Sequence, residues 1–255
     1  MRAVTRLADV SKNTVASLLR SVGSACRQYQ DEVLRNLPCK RVQCDEVWAY
    51  CYAKEKNVPE EKRGQLGYGD VWTWTALCAD AKLIASWHVG QRDAADAQVF
   101  THDLAGRLAN RVQLTTDGHR VYLEAIEDAF GSEVDYAMLI KLYGGSEEAD
   151  RRYSPAECTG AEKRPVSGHP QDNHISTSYV ERQNLSMRMG MRRFTRLTNA
   201  FSKKLENLEF AVSLHFMHYN FARIHQSLRM TPAMKAGVTD HVWEIEEIAK
   251  LADSK

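Results

Sequence analysis

From residue 42 the chain runs Val42-Gln43-Cys44-Asp45-Glu46-Val47-Trp48-Ala49-Tyr50-Cys51-Tyr52, a stretch rich in aromatic and β-branched residues. Two more stretches of the same kind follow at 70–79 and 83–89, and turn or charged segments separate them. Because β-branched and aromatic side chains favour strands, the pattern predicts three consecutive strands in an antiparallel meander.

The next segments are expected to extend this sheet. The sequence predicts a helix at about 93–109, a strand at 112–116, a short helix at about 121–130 and a strand at about 136–142. Three strands, helix, strand, helix, strand is the order of the ribonuclease H fold. We therefore expect an α/β fold, a ribonuclease H-like mixed five-stranded sheet with flanking helices.

This domain is predicted to cover residues 41–237. It contains a stretch at about 144–175 that is rich in Gly, Ser, Pro and charge, which we interpret as a long irregular insertion. Helices are expected at roughly 178–196 and 205–222, and residues 238–255 are predicted to form an acidic C-terminal tail helix.

A small all-α segment, residues 1–37, precedes the sheet. Its apolar spacing predicts two short helices separated by a polar turn, with Ser11 or Asn13 capping the second, and a further amphipathic helix at 24–37. This is typical of a helix-turn-helix, although a plain helical hairpin fits equally well. In a helix-turn-helix the second helix would present four polar side chains to a DNA major groove: Lys12, Asn13, Thr14 and Ser17.

Composition excludes several classes of protein. With 44% hydrophobic and 26% charged residues in 255, the chain has the make-up of an ordinary globular protein. It has no apolar run of the length that a membrane helix or signal peptide needs, so we expect a cytoplasmic protein. The six cysteines form no Cys-x-x-Cys pair, so neither a zinc ribbon nor a dense disulfide framework is indicated.

The net charge of +1 hides an uneven distribution. Residues 1–41 are basic, the stretch 182–204 contains basic residues and no acid, and the last sixteen residues are acidic. Two local basic segments fit a protein that binds nucleic acid, although solvated surface faces would give the same pattern.

Three acidic residues stand where this topology would bring them together: Asp45 in the first strand, Asp117 at the end of the fourth, and Glu181 on the helix after the insertion. Crowded carboxylates repel one another unless hard cations lie among them. Oxygen ligands suit Mg²⁺ or Mn²⁺, and two ions roughly 4 Å apart would stabilise both oxygens of an in-line phosphoryl transfer.

Five motifs resemble those of the transposases of the insertion sequence one family, which are DDE recombinases on a ribonuclease H scaffold. In chain order they are Cys44-Asp45-Glu46-Val47-Trp48, Thr115-Thr116-Asp117-Gly118-His119, Tyr179-Val180-Glu181-Arg182-Gln183-Asn184, Asn199-Ala200-Phe201-Ser202-Lys203-Lys204 and the closing stretch from Tyr219 to Ala233. Together they cover about residues 41 to 237. Their order and spread make the resemblance strong.

The resemblance implies that Asp45, Asp117 and Glu181 bind the two metal ions and catalyse DNA strand cleavage and strand transfer. It also implies binding of double-stranded DNA, namely the terminal inverted repeats and the target, by a homo-oligomer. Basic side chains on and beyond the late helix would contact the phosphates: Arg188, Arg192, Lys203 and Lys204.

The sequence departs from the family at its start. Members often carry a zinc-binding cysteine cluster ahead of the helix-turn-helix, and no cysteines here could form one. Truncation, a second-frame product and a lineage without the module all remain open.

Each acidic residue also has an ordinary explanation. Asp117 could cap a strand-to-turn exit before Gly118. Glu181 could be a first-turn glutamate that the helix dipole favours, although Arg188, seven positions on, would project from the same helix face. Alternation along a strand puts Asp45 and Glu46 on opposite faces, so we expect only one of them, Asp45, to face the site.

Two rival functions stay open at this point. One is a metal-dependent nuclease of the ribonuclease H type that does not join strands. The other is a non-catalytic binder, such as a truncated product that occupies the terminal repeats and represses transposition.

Overall fold

The computed structural model describes residues 2–144, 158–195 and 199–253. The fold is α/β, with a six-stranded mixed sheet and helices on its faces. The strands are β1 (Arg41–Cys51), β2 (Gly69–Cys78), β3 (Ile84–Gly90), β4 (Val112–Thr116), β5 (Val134–Tyr143) and β6 (Cys158–Ser167). Their order across the sheet is β3-β2-β1-β4-β5-β6.

The helices are α1 (Arg2–Ala8), α2 (Lys12–Val33), α3 (Ala94–Ala105), α4 (Val121–Phe130), α5 (Ser178–Gly190), α6 (Leu205–Met217), α7 (Pro232–Lys235) and α8 (Ile245–Lys250). A π-helical turn, His218–Ala222, continues α6, and a 3₁₀ turn, Arg192–Phe194, follows α5. Within the described ranges, no helix combines the length and apolar character needed to cross a bilayer.

The predicted meander is confirmed. Strand β1 pairs antiparallel with β2, with Trp48 opposite Trp72, and β2 pairs antiparallel with β3. Strands β4 and β5 then add in parallel on the other side of β1. Because β1 and β4 are parallel neighbours with Gln43 opposite Thr115, β4 ends beside the middle of β1, and the acidic residues lie at this point.

The sheet has six strands, so the prediction of five is wrong. Strand β6 lies inside the predicted insertion and pairs antiparallel with β5, with Glu162 opposite Ile140. Most of its side chains are exposed, so it lacks the apolar alternation that marks a half-buried strand. As the last strand of the sheet it also tolerates Pro165, which cannot donate to a ladder. Residues 145–157 of the predicted insertion lie outside the described residues.

The second predicted short helix and the helix predicted at 24–37 form one continuous helix, α2. This helix ends at Val33 rather than at residue 37. Ser11 caps it as expected, since its hydroxyl accepts a hydrogen bond of 3.0 Å from the backbone N–H of Thr14. Its second half is buried against α6, where Gly23 allows the two backbones to approach closely. This packing stabilises a helix longer than local propensity indicates.

Two apolar cores lie on the two faces of the sheet. One lies between the sheet and helices α3 and α4, and it includes Trp74 and Phe100. The other lies between the sheet and helices α5 and α6, and it includes Val180 and Phe216. Strand β1 contributes residues of alternate parity to the two cores, so the consecutive side chains of Asp45 and Glu46 leave the strand toward opposite layers.

Candidate metal centre

Three carboxylates meet where β4 ends beside the middle of β1. Each of Asp45, Glu46 and Asp117 has a ligand oxygen within 4.8 Å of those of the other two. Strand pairing accounts for this, because Gln43 lies opposite Thr115 and the acidic residues follow two or three positions later. The geometry fits a small oxygen-ligated cation.

Glu46 was expected on the face opposite Asp45, as a surface or supporting group; it does lie on the opposite face, but it is buried and its carboxylate lies within 4.8 Å of the other two. The two β1 carboxylates do belong to opposite faces: Asp45 accepts a hydrogen bond from Asn184 on α5, whereas Glu46 pairs with Arg92 after β3. Asp117, however, follows the last residue of β4, beyond the end of that strand. Because β4 has ended at this level, the Asp117 carboxylate can approach both faces of β1.

Glu181 lies in the first turn of α5 and lines the same cavity as Asp45 and Asp117. This cavity, of about 600 Å³, is called the carboxylate cavity below. Glu181 is outside the cluster defined by the 4.8 Å limit. Its carboxylate accepts a hydrogen bond from the Thr177 hydroxyl and forms an ion pair with Lys141 of β5. Helix α5 thus places Glu181 in the same cavity as the two aspartates, where the residue is paired with Lys141.

Burial and mutual repulsion raise the pKa values of the β1 carboxyls. The pKa of Asp45 rises to about 6, chiefly through burial and then through the charge of Asp117, while hydrogen bonds from Glu46 N–H and Asn184 oppose the rise. The pKa of Glu46 rises to about 7 through burial and the charge of Asp117. A bound cation would offset both costs.

The surroundings of the Glu46 carboxylate are those of a cation ligand. Its side chain is 1% exposed. Oε2 accepts a hydrogen bond of 3.0 Å from Arg92 Nε, and a hydrogen bond from the Tyr122 hydroxyl lowers the pKa of this buried carboxyl group, against the larger effect of burial. Burial of a carboxylate carries a desolvation cost, which a bound metal ion would offset. These residues therefore fit a divalent ion.

Arg92 supplies positive charge at the carboxylate cluster. Besides its contact with Glu46, it reaches Asp117 at 3.5 Å, and its guanidinium lies 4.8 Å from the ring centroid of Trp72. Arg92 was not predicted from the sequence, because it stands in the turn after β3 and belongs to no recognisable spacing.

Asn184 was also missed, although a signal was present. The face of α5 that lines the cavity carries residues spaced by four, three and four positions, which is one helical face. They are Thr177, Glu181, Asn184 and Arg188. The predicted alignment of Glu181 with Arg188 is thus observed, and Asn184 could have been found from the same periodicity.

The other predicted DNA-contacting residues do not line the carboxylate cavity. Helix α5 was predicted to run to residue 196 but ends at Gly190, so Arg192 stands on the following 3₁₀ turn and does not extend the helical stripe. Lys203 and Lys204 are exposed near the end of β1, with the Lys203 ammonium 4.6 Å from the Phe201 ring centroid. The four α2 positions, Lys12, Asn13, Thr14 and Ser17, are exposed on the first turns of that helix.

No protein-family model matches the chain, and a search of curated proteins finds no significant match.

Proposed function

We propose that the protein is a DNA transposase of the DDE type, with a ribonuclease H-like catalytic domain. The observation that carries the proposal is the convergence of Asp45, Glu46 and Asp117 within 4.8 Å where β4 ends, with Glu181 lining the same cavity as the two aspartates. Strand order, motif order and the resemblance to the insertion sequence one family support the same function.

Asp45, Asp117 and Glu181 would hold Mg²⁺ or Mn²⁺ as two ions, with Glu46 as a further ligand. Such ions, when bound, supply charge neutralisation for the attacking and leaving oxygens of an in-line phosphoryl transfer. The sites require ionised carboxylates. Since burial raises the pKa of Glu46 to about 7, the ionised fraction of Glu46, and with it the affinity for the metal ion, is expected to increase with pH across neutrality.

Neighbouring residues restrain the metal-binding carboxylates, and one of them would position the DNA phosphate. Asn184 fixes the Asp45 carboxylate through a hydrogen bond of 2.8 Å. The backbone N–H of His119 donates a hydrogen bond of 2.9 Å to Asp117, which restrains the second carboxylate at the end of β4. Arg188 lines the cavity on the same face of α5 as Glu181, and its charge would position a phosphate beside the carboxylates.

The proposed reaction has two steps on DNA. Hydrolysis of a phosphodiester at the element end exposes a 3′-hydroxyl, which then attacks a phosphodiester of the target and displaces its 3′ oxygen. No covalent bond to the protein forms. The partners would be double-stranded terminal inverted repeats and target DNA, bound by a homo-oligomer. Exposed polar residues would contact them: Lys12, Asn13, Thr14, Ser17, Arg192, Lys203 and Lys204.

The test uses supercoiled plasmid that carries a candidate element end, with Mg²⁺ or Mn²⁺. We expect nicking and strand-transfer products from the unmodified protein. Asp117→Asn, which is nearly isosteric, should reduce both by more than the roughly 10- to 100-fold that loss of a residue supporting a metal ligand costs. Glu61→Gln serves as the control, because it makes the same kind of change, carboxylate to carboxamide, at an exposed residue that does not line the cavity.

Two outcomes would contradict the proposal. Nicking without strand transfer at either ion would identify a nuclease. DNA binding that survives Asp117→Asn, together with no divalent-dependent cleavage by the unmodified chain, would identify a non-catalytic binder.

A further inference from the structure

A second cavity, of about 530 Å³, lies on another side of α5 and contains a concentration of positive charge. It is called the basic groove here and is defined by Lys82, Arg182, Arg223 and His225. No described residue that lines it is acidic. The groove is positively charged, unlike the mostly apolar pockets that hold small ligands.

The charges of the groove are not neutralised within the protein. Arg182 and Arg223 are exposed, and neither forms an ion pair with any residue in 2–144, 158–195 or 199–253. The Lys82 ammonium lies 3.3 Å from the Tyr179 ring centroid, a cation–π contact that leaves its charge in place. Burial and then the charges of Lys82 and Arg223 lower the pKa of His225, as expected in an excess of positive charge.

Helix α5 separates the groove from the carboxylate cavity. One face lines the carboxylate cavity with Thr177, Glu181, Asn184 and Arg188. Another face lines the basic groove with Tyr179, Arg182, Gln183 and Ser186. Glu181 and Arg182 are consecutive, so their side chains leave the helix about 100° apart. A polyanion in the groove would therefore lie within about one helix diameter, roughly 10 Å, of the cavity.

We propose that the basic groove binds the sugar-phosphate backbone of DNA outside the phosphodiester that reacts in the carboxylate cavity. The inference rests on the proposed function and extends it to residues that the motif comparison did not assign. Arginine and lysine recognise phosphate through charge-assisted hydrogen bonds, and nearby Gln, Ser and Tyr side chains add neutral donors. An acidic protein surface would also match the charge, but proximity to the carboxylate cavity favours DNA.

The test measures affinity for a fluorescent duplex by anisotropy in EDTA, over a series of salt concentrations. Phosphate contacts make binding weaker as salt increases, so log K falls with log salt. Each lost contact reduces the steepness of this fall by about 0.9. We expect Arg182→Gln combined with Arg223→Gln to lower the slope by about 2 and to weaken binding by about 10-fold or more at 0.1 M salt.

Two controls accompany this measurement. Lys235→Gln removes one exposed positive charge that lines neither cavity, and it should leave affinity and slope unchanged. Arg182→Lys with Arg223→Lys keeps both charges and should retain most of the binding. Unchanged affinity and slope in the double glutamine variant, with its thermal unfolding also unchanged, would overturn the proposal.

The same variants distinguish failure of this inference from failure of the proposed function. Mn²⁺ affinity, measured by calorimetry, should be the same in the double glutamine variant as in the unmodified protein. If DNA binding depends on Arg182 and Arg223 but the unmodified protein never cleaves DNA, the groove stands and the transposase proposal fails. If cleavage occurs and the double variant binds and cleaves normally, the groove proposal alone fails.

Discussion

Asn184 donates a hydrogen bond of 2.8 Å from its side-chain amide to Asp45, and this contact joins helix α5 to strand β1 across 139 positions of the chain. The amide oxygen of Asn184 accepts a second hydrogen bond, of 3.3 Å, from Thr75, which lies opposite Asp45 on β2. Asn184 thereby ties the helix that carries Glu181 to the strand that carries Asp45. Together with the buried Val180 and Met187 of the same helix, this contact holds the two distant carboxylates at one cavity.

Asn184→Ala should loosen the Asp45 carboxylate and weaken divalent binding. Loss of a residue that orients a metal ligand typically costs about 10- to 100-fold in affinity. Calorimetric titration with Mn²⁺ measures the effect. Leu185→Ala, an exposed change on the same helix, is the control and should bind as the unmodified protein does. Equal affinity in the Asn184 and Leu185 variants would show that the hydrogen bond does not support a metal ligand.

Glu46→Gln and Glu181→Gln are expected to affect different properties, Mn²⁺ affinity and DNA cleavage respectively. Glu46 is a member of the close carboxylate cluster, whereas Glu181 is outside it and pairs with Lys141. Glu46→Gln should therefore cost more Mn²⁺ affinity, and Glu181→Gln should chiefly reduce DNA cleavage. Calorimetry and plasmid nicking separate the two effects. A greater loss of Mn²⁺ affinity in the Glu181 variant would show that the ions bind nearer α5 than the cluster indicates.

The free energy of unfolding of the metal-free protein should carry a signature of Glu46. Its pKa of about 7 in the folded state is above the ordinary value of 4.5, so the folded state binds more protons between about pH 4.5 and 7. This contribution is favourable below that window and is lost as pH rises through it. Its size is about 1 to 3 kcal/mol.

Urea unfolding in EDTA at pH 5 and pH 7.5 measures this contribution. Glu46→Gln should shrink the difference between the two pH values by that amount relative to the unmodified protein. The comparison between variants removes the opposing effect of His215, whose pKa burial lowers to about 4. Saturating Mg²⁺ should stabilise the unmodified protein more at pH 7.5 than at pH 5, since the carboxylates bind the ion when ionised. An unaltered pH difference in the variant would contradict the raised pKa.

The sequence predicted that Asp45 and Asp117 lie together because the expected strand order makes their two strands neighbours. In the structure, Asp117 follows the end of β4 beside the middle of β1, where Asp45 lies. The position of Glu181 followed from the motif resemblance, since helix periodicity alone does not select it. Glu46 was missed because strand alternation describes where a side chain leaves the backbone and not where its carboxylate ends. Arg92 was missed because a turn has no periodicity.

The elements that were mispredicted share a cause in tertiary context. Strand β6 forms on the exposed edge of the sheet, where pairing with β5 replaces the apolar pattern that identifies a strand from sequence. Helix α2 continues past the predicted break because its second half packs on α6. Local propensity carries neither kind of information.

Gly23→Ala should separate α2 from α6 and test whether the first helices depend on the sheet domain. A Cβ at Gly23 would lie 2.5 Å from Phe210 Cβ and 2.8 Å from the Phe210 carbonyl oxygen, so the two helices would have to move apart. Overpacking of this kind costs about 1 to 3 kcal/mol, which exceeds the gain in helix propensity from alanine. Urea unfolding measures the change. Gly190→Ala, whose nearest contact would be 3.7 Å, is the matched control and should have little effect. Equal stability of the two variants would mean that α2 can shift on α6 without cost, and then its packing would not explain the uninterrupted helix.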